Sequence, residues 1–194
     1  MNGHTIVGDG TTAQLTAMLT GIPEKEQPEA RRGFANTGPV DRWKFIFNDL
    51  HAKNYMTMLS EDVVGISTFN FRLNGFKKQP TTSYTRPLWI GQDGVLKKQF
   101  SCPHKFHFKY LRDFFDANVG YNKMGFVHNN IMHGEPRRTE NMDQDTVDFL
   151  RAIQKSVHGT NTVVLFMADH VRDFEVERCY NCWATKTKDG DESI

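Results

Sequence analysis

Thr162-Val-Val-Leu-Phe-Met-Ala-Asp-His170 is the stretch on which the fold of this chain turns. An unbroken apolar run over 162–168, bounded by polar residues, predicts a parallel strand buried on both faces. In α/β sheets ligands sit beyond the carboxyl ends of the strands. Asp169 and His170 follow the run directly, so they stand where chemistry is expected. One carboxylate and one imidazole are good ligands for zinc or a comparable divalent ion. By spacing alone, a surface loop is the commoner setting for such a pair.

Working back from that strand, Asp145–Ser156 reads as a helix with Val147, Leu150 and Ile153 inward, and Met124–His128 as a short strand. Phe106–Phe115 carries Phe106, Tyr110, Leu111, Phe114 and Phe115 on a strongly helical spacing. Residues 77–102, with Pro80 and Pro87, read as irregular. Gly65–Phe76 is predicted helical, with Phe69, Leu73 and Phe76 on one face. Tyr55–Leu59 reads as a strand, and Trp43–Ala52 as an amphipathic helix through Trp43, Ile46, Phe47 and Leu50. Residues 22–40 hold Pro23, Pro28 and Pro39 and form a loop. Thr11–Leu19 reads as a helix entered from Gly8-Asp9-Gly10 and stopped by Gly21 and Pro23. Helices alternating with apolar strands predict an α/β layered sheet over residues 1–170, followed by a polar tail over 171–194.

Composition narrows the function classes. The chain has 194 residues, with 24 Lys+Arg against 23 Asp+Glu and a net charge of +1. That balance excludes polyanion binding through bulk positive charge, and no basic–aromatic interleaving predicts nucleic-acid binding. No apolar run approaches the roughly 20 residues that spanning a membrane requires. Fifteen Phe and three Trp argue for a packed core. Cys102, Cys179 and Cys182 cannot build a disulfide framework, and Cys179-x-x-Cys182 lacks a second pair. With no basic n-region followed by an apolar one at its start, the chain reads as cytoplasmic.

Other candidate groups are weaker by pattern. Thr11 opens a helix after Gly8-Asp9-Gly10, so its hydroxyl is either an ordinary cap or a nucleophile activated by a metal. The absence of Gly-Lys-Ser/Thr excludes a Walker loop. His128, His133, Asp143 and Asp145 cluster before the last helix and could ligate a metal, although the two aspartates also suit a helix start. His104 and His107 read as solvated, as do Lys77-Lys78 and Arg137-Arg138.

Taken together, these stretches resemble one family. Ile6–Gly21 is similar to the opening block of the sulfatase-like proteins of unknown function within the alkaline phosphatase superfamily. Glu61-Asp-Val-Val-Gly-Ile-Ser-Thr-Phe-Asn-Phe-Arg-Leu-Asn-Gly-Phe-Lys-Lys-Gln-Pro80 resembles the family's most distinctive block, and Tyr84-Thr-Arg-Pro-Leu-Trp89 continues it. His133, Asp143-x-Asp145 and Val163–His170 follow in the family's order. The resemblance implies a partial alkaline-phosphatase-like layered sheet with flanking helices. It also implies hydrolysis of phosphate or sulfate esters, on a small molecule or a glycan, at a divalent metal ion: zinc, calcium or manganese. Thr11 then matches the nucleophile, and Asp169, His170 and His133 match metal ligands. Relatives act outside the cytoplasm. The chain departs from them at Val171, where relatives carry Gly, and at Gly134, where an aspartate is expected. It also has no Cys-x-Pro-Ser-Arg signature and no upstream metal-binding aspartate. These departures imply a truncated or degenerate member, with metal held weakly or lost. The alternative is a non-catalytic pseudoenzyme that binds a partner or a glycan.

Overall fold

Met56-Thr-Met-Leu-Ser-Glu61 forms the central strand, β1, and every residue from Thr57 to Glu61 is buried. The computed structural model describes residues 6–92, 103–130, 133 and 138–170. β1 is flanked by β2, Ser83–Tyr84, and β3, Lys123–His128, giving the order β2-β1-β3 with both pairings parallel. Parallel neighbours need long crossovers: residues 62–82 join β1 to β2 through turns and loops, and helices occupy the described chain between β2 and β3. Five α-helices accompany the sheet among the described residues: α1 (Gly10–Thr20), α2 (Ile46–Ala52), α3 (Arg86–Gln92), α4 (Pro103–Ala117) and α5 (Arg138–Lys155). The α/β layered architecture is thus present.

One side of the sheet rests on an aromatic core of Trp43, Phe45, Phe47, Leu59, Phe69 and Leu73, all buried. The predicted helix over Trp43–Ala52 begins only at Ile46. Trp43, Phe45 and Phe47 instead point the same way at every second residue, with successive ring centroids 6.2 Å apart. Extended backbone at Phe45 produces that period of two, and burying three rings outweighs helical spacing. α4 covers the sheet near β3 so closely that a Cβ on Gly125 would lie 2.4 Å from Leu111 Cδ1. α5 packs on α4 through the stacked rings of Phe108 and Phe149, 4.6 Å apart.

Three further expectations are corrected. Residues 65–76 form turns and not a helix, because their polar backbone groups are used elsewhere. Thr68 N–H donates to Glu61, Thr68 C=O accepts from Thr12, and Leu73 bridges Arg31. Within 77–102, β2 and α3 are regular, and residues 93–102 lie outside the described part.

The third correction concerns 162–168. The segment has no regular secondary structure and pairs with no strand among the described residues. Val163 is 84% exposed and Leu165 76%, so the predicted burial on both faces is absent. Apolar character alone does not make a strand, because a strand needs a ladder partner to take its N–H and C=O groups. The tail from 171 and all three cysteines also lie outside the described residues.

Candidate functional site

Because β1 and β3 run parallel and in register, their carboxyl ends coincide, and Glu61 stands directly beside His128. Glu61 Oε1 accepts from Thr68 N–H at 2.8 Å, from the Thr68 hydroxyl at 2.5 Å and from His128 Nδ1 at 3.3 Å. Burial pushes the Glu61 carboxyl up, but the bond and charge of His128 and the two Thr68 bonds outweigh it, so the group stays below its usual range. Burial likewise works against a proton on His128. The bond and charge of Glu61, with the charges of Asp169 and Asp62, hold its pKa above that of an ordinary imidazole. An imidazole oriented by Glu61, with its charged form favoured by that carboxylate, thus sits at the sheet edge.

The next residue after Glu61 anchors the loop beyond β3. Asp62 Oδ1 accepts from Asn130 N–H at 2.9 Å and from the Asn130 side chain at 3.1 Å. Burial raises the Asp62 pKa against those two bonds.

α1 brings the hydroxyl. Gly8 and Gly10 adopt left-handed backbone (φ 78° and 73°) on either side of extended Asp9, a turn that L side chains resist. Asp9 is the N-cap residue but makes no side-chain cap bond. Thr11 is not the cap either: its Oγ1 lies 3.1 Å from His170 Nε2, across 159 residues of sequence. The adjacent Thr12 hydroxyl donates to Thr68 C=O at 3.1 Å, tying α1 to the loop that holds Glu61. Arg72 donates to Asp9 C=O at 3.0 Å, supporting the turn from outside.

Asp169 completes the juxtaposition. Its Oδ2 stands 3.6 Å from His170 Nε2 and 3.8 Å from His128 Nε2, and all three side chains are largely buried. Thr11, His170, Asp169, His128 and Glu61 therefore form one continuous line of polar groups at the carboxyl edge. As they stand, no three His, Cys, Asp or Glu side chains among the described residues form a group able to hold a metal ion. His133 is exposed, and its backbone N–H donates to Asn130 C=O. No contact among the described residues joins it to Thr11, Asp169 or His170.

Sequence reasoning missed Glu61, which lies two residues past the predicted strand Tyr55–Leu59 but ends the observed one, where a carboxylate belongs to the site edge. His104 and His107 are corrected outright, since both are fully buried and not solvated. His104 Nε2 meets Asp145 Oδ2 at 2.7 Å, and Lys105 meets the same carboxylate at 3.2 Å. Those partners, His104 first, hold the Asp145 carboxyl below its usual value. Asp145 lies inside α5, so it neither caps that helix nor joins His128. A cavity of about 570 Å³ opens beside the Gly8–Gly10 turn, walled by Glu24, Trp43 and Arg72, but Thr11 does not line it. No described helix is long and apolar enough to cross a membrane.

A parallel sheet with a hydroxyl, two imidazoles and two carboxylates at its carboxyl edge defines an α/β protein with a polar strand-end site. The family follows from comparison: the model described as "Protein of unknown function (DUF229)" matches residues 1–178, and the chain belongs to that family. No curated protein and no solved structure matches it.

Proposed function

We propose that this chain is a sulfatase-like domain of alkaline-phosphatase type, directed at phosphate or sulfate esters and degenerate in its metal-ligand set. The observation that carries the reading is the 3.1 Å approach of Thr11 Oγ1 to His170 Nε2, which puts a hydroxyl nucleophile candidate against an imidazole. The donor set suits a divalent ion: a carboxylate and an imidazole 3.6 Å apart, with a hydroxyl touching the same ring nitrogen. Two ligands each about 2.1 Å from one tetrahedral ion are about 3.4 Å apart. Asp169 and His170 would hold the ion. When bound, a divalent ion lowers the pKa of a hydroxyl and neutralises charge on an ester oxygen.

The chain's own residues do the rest. The first turn of α1 presents Thr11 together with backbone N–H groups that have no partner within the helix, which favour an anionic phosphate or sulfate. With His170 Nε2 engaged in holding the ion, the proton released by Thr11 would pass to water. Removing one well-placed electrostatic group costs roughly 10²–10³ in rate, so a site short of ligands should turn over slowly.

The test is hydrolysis of aryl phosphates and aryl sulfates with zinc, manganese or calcium added, beside a Thr11→Ala control. Turnover that needs metal and vanishes in the control supports the hydrolase reading. The sparse ligand set favours the second reading, a pseudoenzyme. Saturable ester binding without turnover would support that one, and neither binding nor turnover would overturn both.

A further inference from the structure

The cavity beside the Gly8–Gly10 turn has no part in the proposed ester chemistry, yet its volume of about 570 Å³ falls within the roughly 300–1,000 Å³ of small-molecule sites. We infer that it binds a neutral polyhydroxylated ring, a sugar or a cyclitol, through two Arg–Glu pairs set on an apolar wall. The inference goes beyond the hydrolase reading and does not depend on it, because no step at Thr11 enters.

The lining disfavours other ligand classes. It carries three cations against four carboxylates, so an anion meets no net positive field. A hard metal ion seeks carbonyl and carboxylate oxygens. Among the described residues no three carboxylates gather closely enough to hold one, and the carbonyls of the wall are spent. Asp9 C=O accepts from Arg72, Pro23 C=O from Glu26 N–H, Glu24 C=O from Gln27 N–H, Pro28 C=O from the Trp43 indole and Ala30 C=O from Asn74 N–H. An amine finds Glu24 and Glu29 already neutralised by arginine.

Hydroxyl groups suit what remains. Arg31 grips Glu29 through Nε and Nη2, at 2.9 and 2.5 Å. Arg72 Nη2 reaches Glu24 at 3.3 Å while donating to Asp9 C=O at 3.0 Å, so its guanidinium is held in place. Among the described residues both arginines keep Nη1 for a further bond, and both carboxylates keep lone pairs. A ring hydroxyl donates and accepts at once, so it can bridge the N–H and the oxygen of one pair. Val7, Ala13, Pro23 and Leu73 supply carbon surface for the C–H face of such a ring.

The experiment uses the full chain, with methyl glucoside, methyl galactoside and myo-inositol as neutral probes and glucuronate and glucosamine as charged comparators. Binding is read by NMR on the indole and guanidinium N–H groups. A neutral probe should shift the Trp43 indole N–H and the Arg31 and Arg72 Nε–H, and bind more tightly than either comparator. The glycoside and inositol arms separate sugar from cyclitol. Glu24→Ala, which leaves Arg72 without its carboxylate, should weaken the neutral probe about 10-fold and turn the preference to glucuronate. If Glu24→Ala fails to fold, Glu29→Ala makes the same test through the more exposed pair at Arg31. A wild type that prefers a charged comparator, neutral binding that leaves those N–H groups unmoved or survives both substitutions unchanged, or no binding of any neutral probe would overturn the inference. Each of those results leaves the ester assay to judge the hydrolase reading by itself.

Discussion

His107 shows how one buried side chain makes the stability of this protein depend on pH. It is fully buried, with neither ring nitrogen hydrogen-bonded among the described residues, and its ring lies edge-on to Trp89. Burial above all, helped by the charges of His128 and His104 and opposed by that of Glu61, pushes its pKa down to about 3. In the unfolded chain the value is about 6.5. The unfolded state therefore takes up a proton below pH 6.5 that the native state refuses until about pH 3. Stability from this residue is complete above pH 6.5 and drains away as pH falls, by up to about 1.4 kcal/mol per pH unit. His107→Leu should remove that dependence. Between pH 7 and pH 5, urea titration should find the wild type losing about 2 kcal/mol more than the variant. Glu61 gives a second residue-scale expectation. Glu61→Ala strands His128 without its counter-charge, and a broken buried pair costs about 3–5 kcal/mol. Equal denaturation midpoints for variant and wild type would show that the pair holds nothing.

Elements differ in what they contribute, and two of them make opposite predictions. Phe47 is fully buried in the aromatic core, so Phe47→Ala should cost about 3–5 kcal/mol by denaturant unfolding. Leu165 belongs to a segment just as apolar in sequence, yet it is exposed and unpaired. Leu165→Thr should change stability by no more than about 0.5 kcal/mol. A large loss there would show that 162–168 is covered in solution. The irregular loop after β1 depends on one glycine. Gly75 has φ 71°, and a Cβ there would fall 1.9 Å from the Asn70 amide nitrogen. Gly75→Ala should therefore cost at least 1–2 kcal/mol, roughly the penalty for left-handed backbone in an L-residue. A helix over 65–76 would have tolerated that alanine.

At the scale of the whole molecule, parallel pairing is the organising choice. It puts the ends of β1 and β3 on one edge and leaves α1 to deliver Thr11 to the same place through Thr12 and Thr68. The site is thus a product of topology and not of any local motif. The corresponding expectation separates chemistry from folding. Thr11 is half-buried and outside the aromatic core, so Thr11→Ala should keep the wild-type melting temperature to within a few degrees while losing any ester turnover. A melting temperature far below wild type would make the hydroxyl a structural group.

The sequence by itself determined the α/β class, α1, α4, α5, β1 and β3. Each rests on short-range periodicity and on turn residues such as Gly21, whose left-handed cap ends α1. It also marked Asp169, His170 and Thr11 as worth attention, through strand-end position and family resemblance. Tertiary structure alone decided that Thr11 meets His170 and that His104 and His107 are buried. It decided as well that residues 65–76 spend their backbone hydrogen bonds on Glu61, Thr12, Ala30 and Arg32. The physical reason is range. Helical and strand propensities act over a few residues, whereas burial and ladder pairing depend on partners distant in the chain, which is why the apolar run at 162–168 reads in sequence as a buried strand yet is exposed and unpaired among the described residues.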